Sequence, residues 1–217
     1  MDLQILYEDT DIIVCVKPAG VATQTRQLGQ ADMESLLKNY RAGKGEPPYI
    51  GVVHRLDQPV CGVMVFAKNK EAAADLSRQV KAKLADKYYY AMTDGVPQKK
   101  KDRLENYLLR DGKSNTSSVV PSHTPDAKSA ALTYEVVEQN GTRAILNVQL
   151  ETGRHHQIRV QLANAGFPIV GDRKYNFKEN MRPFHESLAL CSYKLGFKHP
   201  KTHKKMVFQI DKPFHLA

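Results

Sequence analysis

The sequence contains no apolar run of the roughly 20 residues that a membrane-crossing helix needs. Its first residues, MDLQILYEDTDIIVCV, carry acids where a secretory leader carries basic side chains, and show no cleavage-site pattern. A cytoplasmic location and no membrane partner are the resulting expectations. Cysteine is scarce: Cys15, Cys61 and Cys191 are far apart and odd in number. They form neither a disulfide framework nor a metal-ligand pair, and reduced, buried thiols are expected. Zinc, P-loop and dinucleotide motifs are absent, as is any repeat of fixed period, so no cofactor and no metal are expected.

What is present is a chain of 217 residues, 41% hydrophobic, with a formal net charge of +9. That length suits one domain, or one domain with two lobes around a cleft, and the hydrophobic share is enough for a packed core. The basic balance favours a polyanion, nucleic acid first, against the plainer reading of many solvated lysines.

LQILYED and DIIVCVKPAG read as strands, the second stopped by Pro18-Ala19-Gly20. ADMESLLKNY reads as a helix capped by Asp32, with Met33, Leu36, Leu37 and Tyr40 on one face. GVMVFAK reads as a buried strand. KEAAADLSRQVKAKLAD follows as a helix with Ala73, Leu76, Val80 and Leu84 inward. KYYYAMTDG is a strand ending at Asp94-Gly95. ENYLLRDG and SSVV can pair within the polar stretch 97–128. SAALTYEVVEQNGTRAILNVQLETG predicts a hairpin about Asn140-Gly141, the dipeptide of a type I′ turn. Thr152 then caps a helix GRHHQIRVQLANAG that Gly166 ends. FPIVGD, LALCSYKLGF and KMVFQID read as strands. The whole predicts an α+β fold with a largely antiparallel, mixed central sheet flanked by helices and loops.

Four stretches can carry chemistry. Asp57 in VHRLDQPVCG is a carboxylate on a loop, although an acid before X-Pro is also an ordinary turn residue. TGRHHQIR puts Arg154 and Arg159 near a predicted helix start, where anions bind, or else on a solvated face. Its adjacent histidines would diverge on a helix, which speaks against one metal site using both. KYYYAM alternates Tyr88, Tyr89 and Tyr90 across a strand, for base stacking or for sheet packing. FKHPKTHKK offers cations to a phosphate backbone, or a solubilising hairpin tip.

Taken together these stretches resemble the RluA-type family of RNA pseudouridine synthases. LYEDTDIIVCVKPAG is similar to the family's opening, and His54-Arg55-Leu56-Asp57 to its H-R-L-D signature. Lys87, Tyr89 and Ala91 fit its K-x-Y-x-A strand. LETGRHHQIR, GFPIVGDRKY and LGFKHPKT follow its later blocks in order. The chain departs from the family at Val60-Cys61-Gly62, where Thr-Ser-Gly is usual, and at Gln161, Leu190-Cys191-Ser192 and Tyr175-Asn176.

The resemblance implies a single catalytic domain over 1–217, without the N-terminal S4-type RNA-binding domain of some relatives, and an active-site cleft across the sheet. It implies isomerisation of uridine to pseudouridine in structured RNA, tRNA or ribosomal RNA, by a monomer. Asp57 is then the required carboxylate, Arg159 its charge partner, and Tyr89 the ring that stacks on the uracil. Ile158 packs near the base, and Arg55 fills the place of the flipped nucleotide. His54, Arg154 and Lys87 complete the RNA-binding set. One alternative is an RNA-binding or RNA-folding factor with a silent active site, which the intact trio Asp57, Tyr89 and Arg159 argues against. A glycoside hydrolase would need a second carboxylate beside Asp57. Glu151 and Asp172 are available, but no motif ties them to it.

Overall fold

A computed structural model describes residues 3–25, 29–181 and 186–216. Among the described residues, eleven strands in mostly antiparallel ladders and three α-helices make an α+β fold, as the patterning predicts. The chain divides into two compact units, Met1–Lys87 with Ser192–Asp211, and Tyr88–Cys191 with Lys212–Ala217.

In the first unit, β1 (Gln4–Glu8), β2 (Ile12–Lys17), β4 (Cys61–Ala67), β10 (Leu190–Lys198) and β11 (Lys205–Gln209) follow one another. The short β3 (Gly51–Val52) also pairs with β4. Strands β2 and β4 read as continuous apolar runs because both faces are covered. Ile12, Val14, Val63, Val65 and Ala67 alternate onto the face that meets Leu76. Helix α1 (Met33–Gly43) is capped by Asp32, whose carboxylate accepts from Ser35 N at 2.7 Å. Ser35 Oγ accepts in turn from Asp32 N, closing a capping box.

Helix α2 (Lys70–Lys81) buries Ala72, Leu76 and Gln79. Leu76 is inward as expected, and Ala73 and Val80 are half-buried on the same side. Leu84, expected to be buried, lies beyond the helix and is exposed. Gln79 is buried as well, because its amide donates to Lys198 O and its carbonyl accepts Lys198 N.

In the second unit the order is β5 (Asp86–Asp94), β9 (Arg143–Leu150), β8 (Lys128–Gln139), β6 (Lys101–Asp111) and β7 (Thr116–Val120). The pairing of ENYLLRDG with SSVV is present as β6–β7, and β6 is longer than expected. The β8–β9 hairpin forms where predicted, but its turn is not type I′. Of Asn140, Gly141 and Thr142, Gly141 alone has positive φ, and Asn140 N bonds Arg143 O, so Gly141-Thr142 is the two-residue loop. Glycine at the first central position is the II′ pattern.

FPIVGD is not a strand. Only Ile169 makes a single bridge, to Thr93.

The third helix starts later than predicted, as α3 (Gln157–Asn164), and Thr152 does not cap it. The Thr152 hydroxyl is spent elsewhere: it accepts Ala131 N at 3.0 Å and donates to Gln157 Oε1 at 2.7 Å. His156, at φ 52°, sits in the left-handed region and breaks the helical path. Arg154 and both histidines therefore lie on the turn before α3. Leu108, Ala130 and Val160 pack together where α3 meets the sheet.

Candidate active site

Asp57 sits half-buried on the loop between β3 and β4, in a turn closed by Val60 N to Asp57 O at 3.0 Å. The backbone on both sides of it is pinned. Thr23 Oγ1 donates to Leu56 O at 2.9 Å and accepts Leu56 N at 3.1 Å. Gln58 O accepts from Gly20 N and from the ammonium of Lys17.

Lys17 is fully buried, and its Nζ donates to Pro18 O, Val21 O and Gln58 O at 3.0, 2.6 and 3.0 Å. Three carbonyls thus meet the three donors of one ammonium. Burial pulls its pKa down to about 8, while the charges of Cys61 and Asp57 push the other way. The KPAG turn and the HRLD loop are in effect one unit, tied by one cation.

His54 Nε2 accepts from Val65 N at 3.1 Å, which puts the ring proton on Nδ1. Burial, then the charge of Lys87, draws its pKa down to about 3, so the ring is neutral at ordinary pH. His54 and Lys87 line one small apolar cavity with Val65, Leu76 and Phe197. Burial also lowers the Lys87 pKa. Arg55 is exposed and donates to Gln24 Oε1 at 2.9 Å. Cys15 and Cys191 are buried as expected, whereas Cys61 is only half-buried.

Tyr89, Arg154, Ile158 and Arg159 belong to the second unit. Tyr89 is buried on β5 opposite Val148 of β9, and its neighbours Tyr88 and Tyr90 are half-buried. Ile158 and Arg159 are buried on the first turn of α3. Arg154 is exposed, and its Nε donates to Ser129 O.

Arg159 donates from Nε and Nη2 to the two oxygens of Asp172, both at 2.8 Å. Asp172 also accepts Lys174 N and Tyr175 N. The Tyr175 hydroxyl meets His156 Nδ1 and Ser117 N, each at 2.8 Å, and the Arg159 guanidinium lies 5.3 Å from the Tyr175 ring centre. The rings of His155 and His156 do not diverge, because they are off the helix. They stack with centres 3.8 Å apart. Burial, and next the charge of Arg159, brings the His156 pKa to about 2. Gln161, where the family has histidine, is buried and donates to Asn106 Oδ1 at 2.8 Å.

Sequence reasoning gave Lys17 and Thr23 no role, and named Asp172 only as an available second carboxylate and Tyr175 only in a departure from the family pattern. Lys17, Asp172 and Tyr175 stand in the blocks KPAG and GDRKY, and that placement was their signal. Glu151, one candidate for a second carboxylate, accepts two bonds from Arg103, and Asp172 is committed to Arg159.

Asp9, Asp11 and His199 form the one cluster of metal-ligand type found among the described residues. His199 Nδ1 accepts Lys201 N and Thr202 N, so its Nε2 carries the proton and donates to Asp9 at 2.8 Å. Asp9 also accepts Tyr7 Oη, Asp11 N and Ile12 N. Hydrogen bonds within the protein already use these ligand atoms.

Residues 11–164 match the RNA pseudouridylate synthase family. The chain belongs to that family. Among its relatives, an uncharacterized RNA pseudouridine synthase of Aquifex aeolicus is 34% identical over 97% of this chain and 70% of its own length. YhcT of Bacillus subtilis, described in the same words, is 33% identical over 98% and 69%. The dual-specificity RNA pseudouridine synthase RluA of Vibrio parahaemolyticus is 34% identical over 92% and 79%. The fold is shared with the human RNA Pseudouridylate Synthase Domain Containing 4, at TM-score 0.80, 22% identity, and coverage of 97% of this chain and 88% of that one.

This pseudouridine synthase is of the RluA type, and its reaction is isomerisation of uridine in RNA. No helix among the described residues is long and apolar enough to cross a membrane.

Proposed function

We propose that Asp57 is the essential carboxylate of this synthase, acting on a uridine of structured tRNA or ribosomal RNA. The observation that best supports the reading is the pinning of both flanking residues, Leu56 by Thr23 and Gln58 by Lys17 and Gly20. A reacting group held this way loses little orientation on the path to the transition state.

The N1–C1′ bond breaks, the uracil turns, and C5 bonds to C1′; C5 then gives up its proton and N1 takes one up, so nothing is added or lost overall. Asp57 either attacks C1′ or removes a sugar proton to give a glycal. Arg159 serves as charge partner of that carboxylate, its fork already aligned by Asp172. Tyr89 stacks on the uracil and Ile158 packs beside it. The target leaves its helix to react, and Arg55 takes the vacated place. Arg154 and the surface lysines hold phosphates without reading sequence. His54 and Lys87 complete the RNA-binding set, His54 also tying its loop to β4. The enzyme works as a monomer in the cytoplasm.

The test is pseudouridine formation on total cellular RNA by Asp57→Ala and Asp57→Asn, with RNA affinity measured alongside. Both variants should give no product while binding survives. Wild-type product from Asp57→Ala would remove Asp57 from the chemistry.

A further inference from the structure

The second unit carries a feature that the reaction does not use. Phe177 is 83% exposed, which is unusual for so large an apolar ring. Arg173, Lys174 and Lys178, all exposed, are its near neighbours in the chain. No ion pair engages these three cations among the described residues. The Lys174 ammonium rests on the carbonyls of Asn115 and Ser114 at the β6–β7 turn, which orient it without cancelling its charge. The segment is also anchored at its start, since Asp172 binds Arg159 on one side and the amides of Lys174 and Tyr175 on the other. His156 reports the local field: beyond burial, the charges of Arg159, His155, Lys174 and Arg110 oppose its protonation.

We propose that residues 173–178 form an RNA landing platform, with Phe177 stacking on an unpaired base of the substrate while Arg173, Lys174 and Lys178 contact its phosphates. An exposed aromatic among exposed cations is what a single strand requires. Every base has a face to stack, and the backbone supplies the anions. A duplex keeps its bases stacked internally and offers Phe177 nothing. Unpaired nucleotides of the substrate are therefore the occupant. The proposal rests on RNA being the substrate, and not on Asp57 being the reacting acid.

The probes are a fluorescein-labelled oligouridine of about twelve nucleotides and a blunt RNA duplex of matching length, with affinity read by anisotropy. Phe177→Ala and Phe177→Leu should each weaken oligouridine binding by about tenfold. Phe177→Tyr should stay within about twofold, and duplex binding should not change. Arg173→Gln and Lys178→Gln should each reduce the salt slope by about one. Thermal unfolding of all variants should match the wild type. Phe177→Leu binding like the wild type would overturn stacking. So would a Phe177→Ala protein whose sedimentation changes while its RNA affinity does not, since the ring would then serve a protein contact. Affinity is read without reference to product, so failure here is separable from failure of the catalytic assignment.

Discussion

Arg159 and Asp172 form a two-point ion pair in which neither side chain is more than 6% exposed. Planar guanidinium against planar carboxylate fixes the arginine in direction as well as position. Removing one partner of such a pair typically costs about 3–5 kcal/mol, because the other charge stays buried and uncompensated. Asp172→Ala should lose stability of that order in urea unfolding. Asp172→Asn keeps an acceptor for Lys174 N and Tyr175 N, so it should lose less while lowering kcat more than it raises KM. A loss below about 1 kcal/mol for Asp172→Ala would show the pair to be dispensable.

Arg159→Lys tests the same relationship from the other side. Lysine is a point charge and cannot span both oxygens of Asp172. Activity should fall by about tenfold or more, with stability reduced less than in Asp172→Ala. Full activity would take Arg159 out of the proposed site.

His54 gives a pH prediction. Its folded pKa, about 3, lies below the ordinary histidine value near 6.5. Between those values the unfolded chain binds a proton that the folded chain refuses. His54 therefore contributes stability above pH ~6.5 that is lost progressively as pH falls toward 3. Glutamine can still accept Val65 N but does not titrate. His54→Gln should flatten the decline in unfolding free energy between about pH 6.5 and 4. An unchanged slope would mean that the ring protonates without penalty.

Much of the fold was legible because it depends on local pattern. The unbroken apolar runs of β2 and β4, the Asp32 cap and the β8–β9 alternation each carry their own signal. The errors arose where a side chain was claimed from a distance. Thr152 looked like a cap but bonds β8, and Leu84 looked like a core residue but lies beyond α2 and is exposed. FPIVGD has a strand's composition, yet only Ile169 bridges a partner. The site divides in the same way. Asp57, Tyr89 and Arg159 stand out through motif and residue type. Lys17 and Asp172 do not, since an arginine's choice of carboxylate and a lysine's three carbonyls are tertiary facts.

Lys17→Met should show what that buried ammonium does. The apolar side chain fills similar space but leaves Pro18 O, Val21 O and Gln58 O without their shared donor. Unsatisfied buried acceptors cost about 1–3 kcal/mol each, partly relieved if water enters. A loss of about 2 kcal/mol or more is expected in denaturant unfolding. Faster amide exchange at Gly20 and Val60 should accompany it, because the two turns are tied through Gln58. Wild-type exchange at those amides would mean that the cation is not what holds them.

Gly62 is where the chain returns to its family's wording after Val60-Cys61, and the structure gives the reason. It lies opposite Lys17 in the β2–β4 register, at φ 136°. A Cβ there would overlap the carbonyl oxygen of Ser192 and stand 2.6 Å from its amide nitrogen, both backbone atoms that cannot swing away. Gly62→Ala must therefore displace a neighbouring strand in addition to straining its own backbone. We expect a loss above about 3 kcal/mol, or failure to fold. Gly112 is the control: a Cβ added there would meet no atom within 4 Å, and its φ is ordinary. Gly112→Ala should change stability by less than about 0.5 kcal/mol. Equal thermal midpoints for the two variants would show that the close approach at Gly62 can relax, and that the turn carrying Asp57 is not set by it.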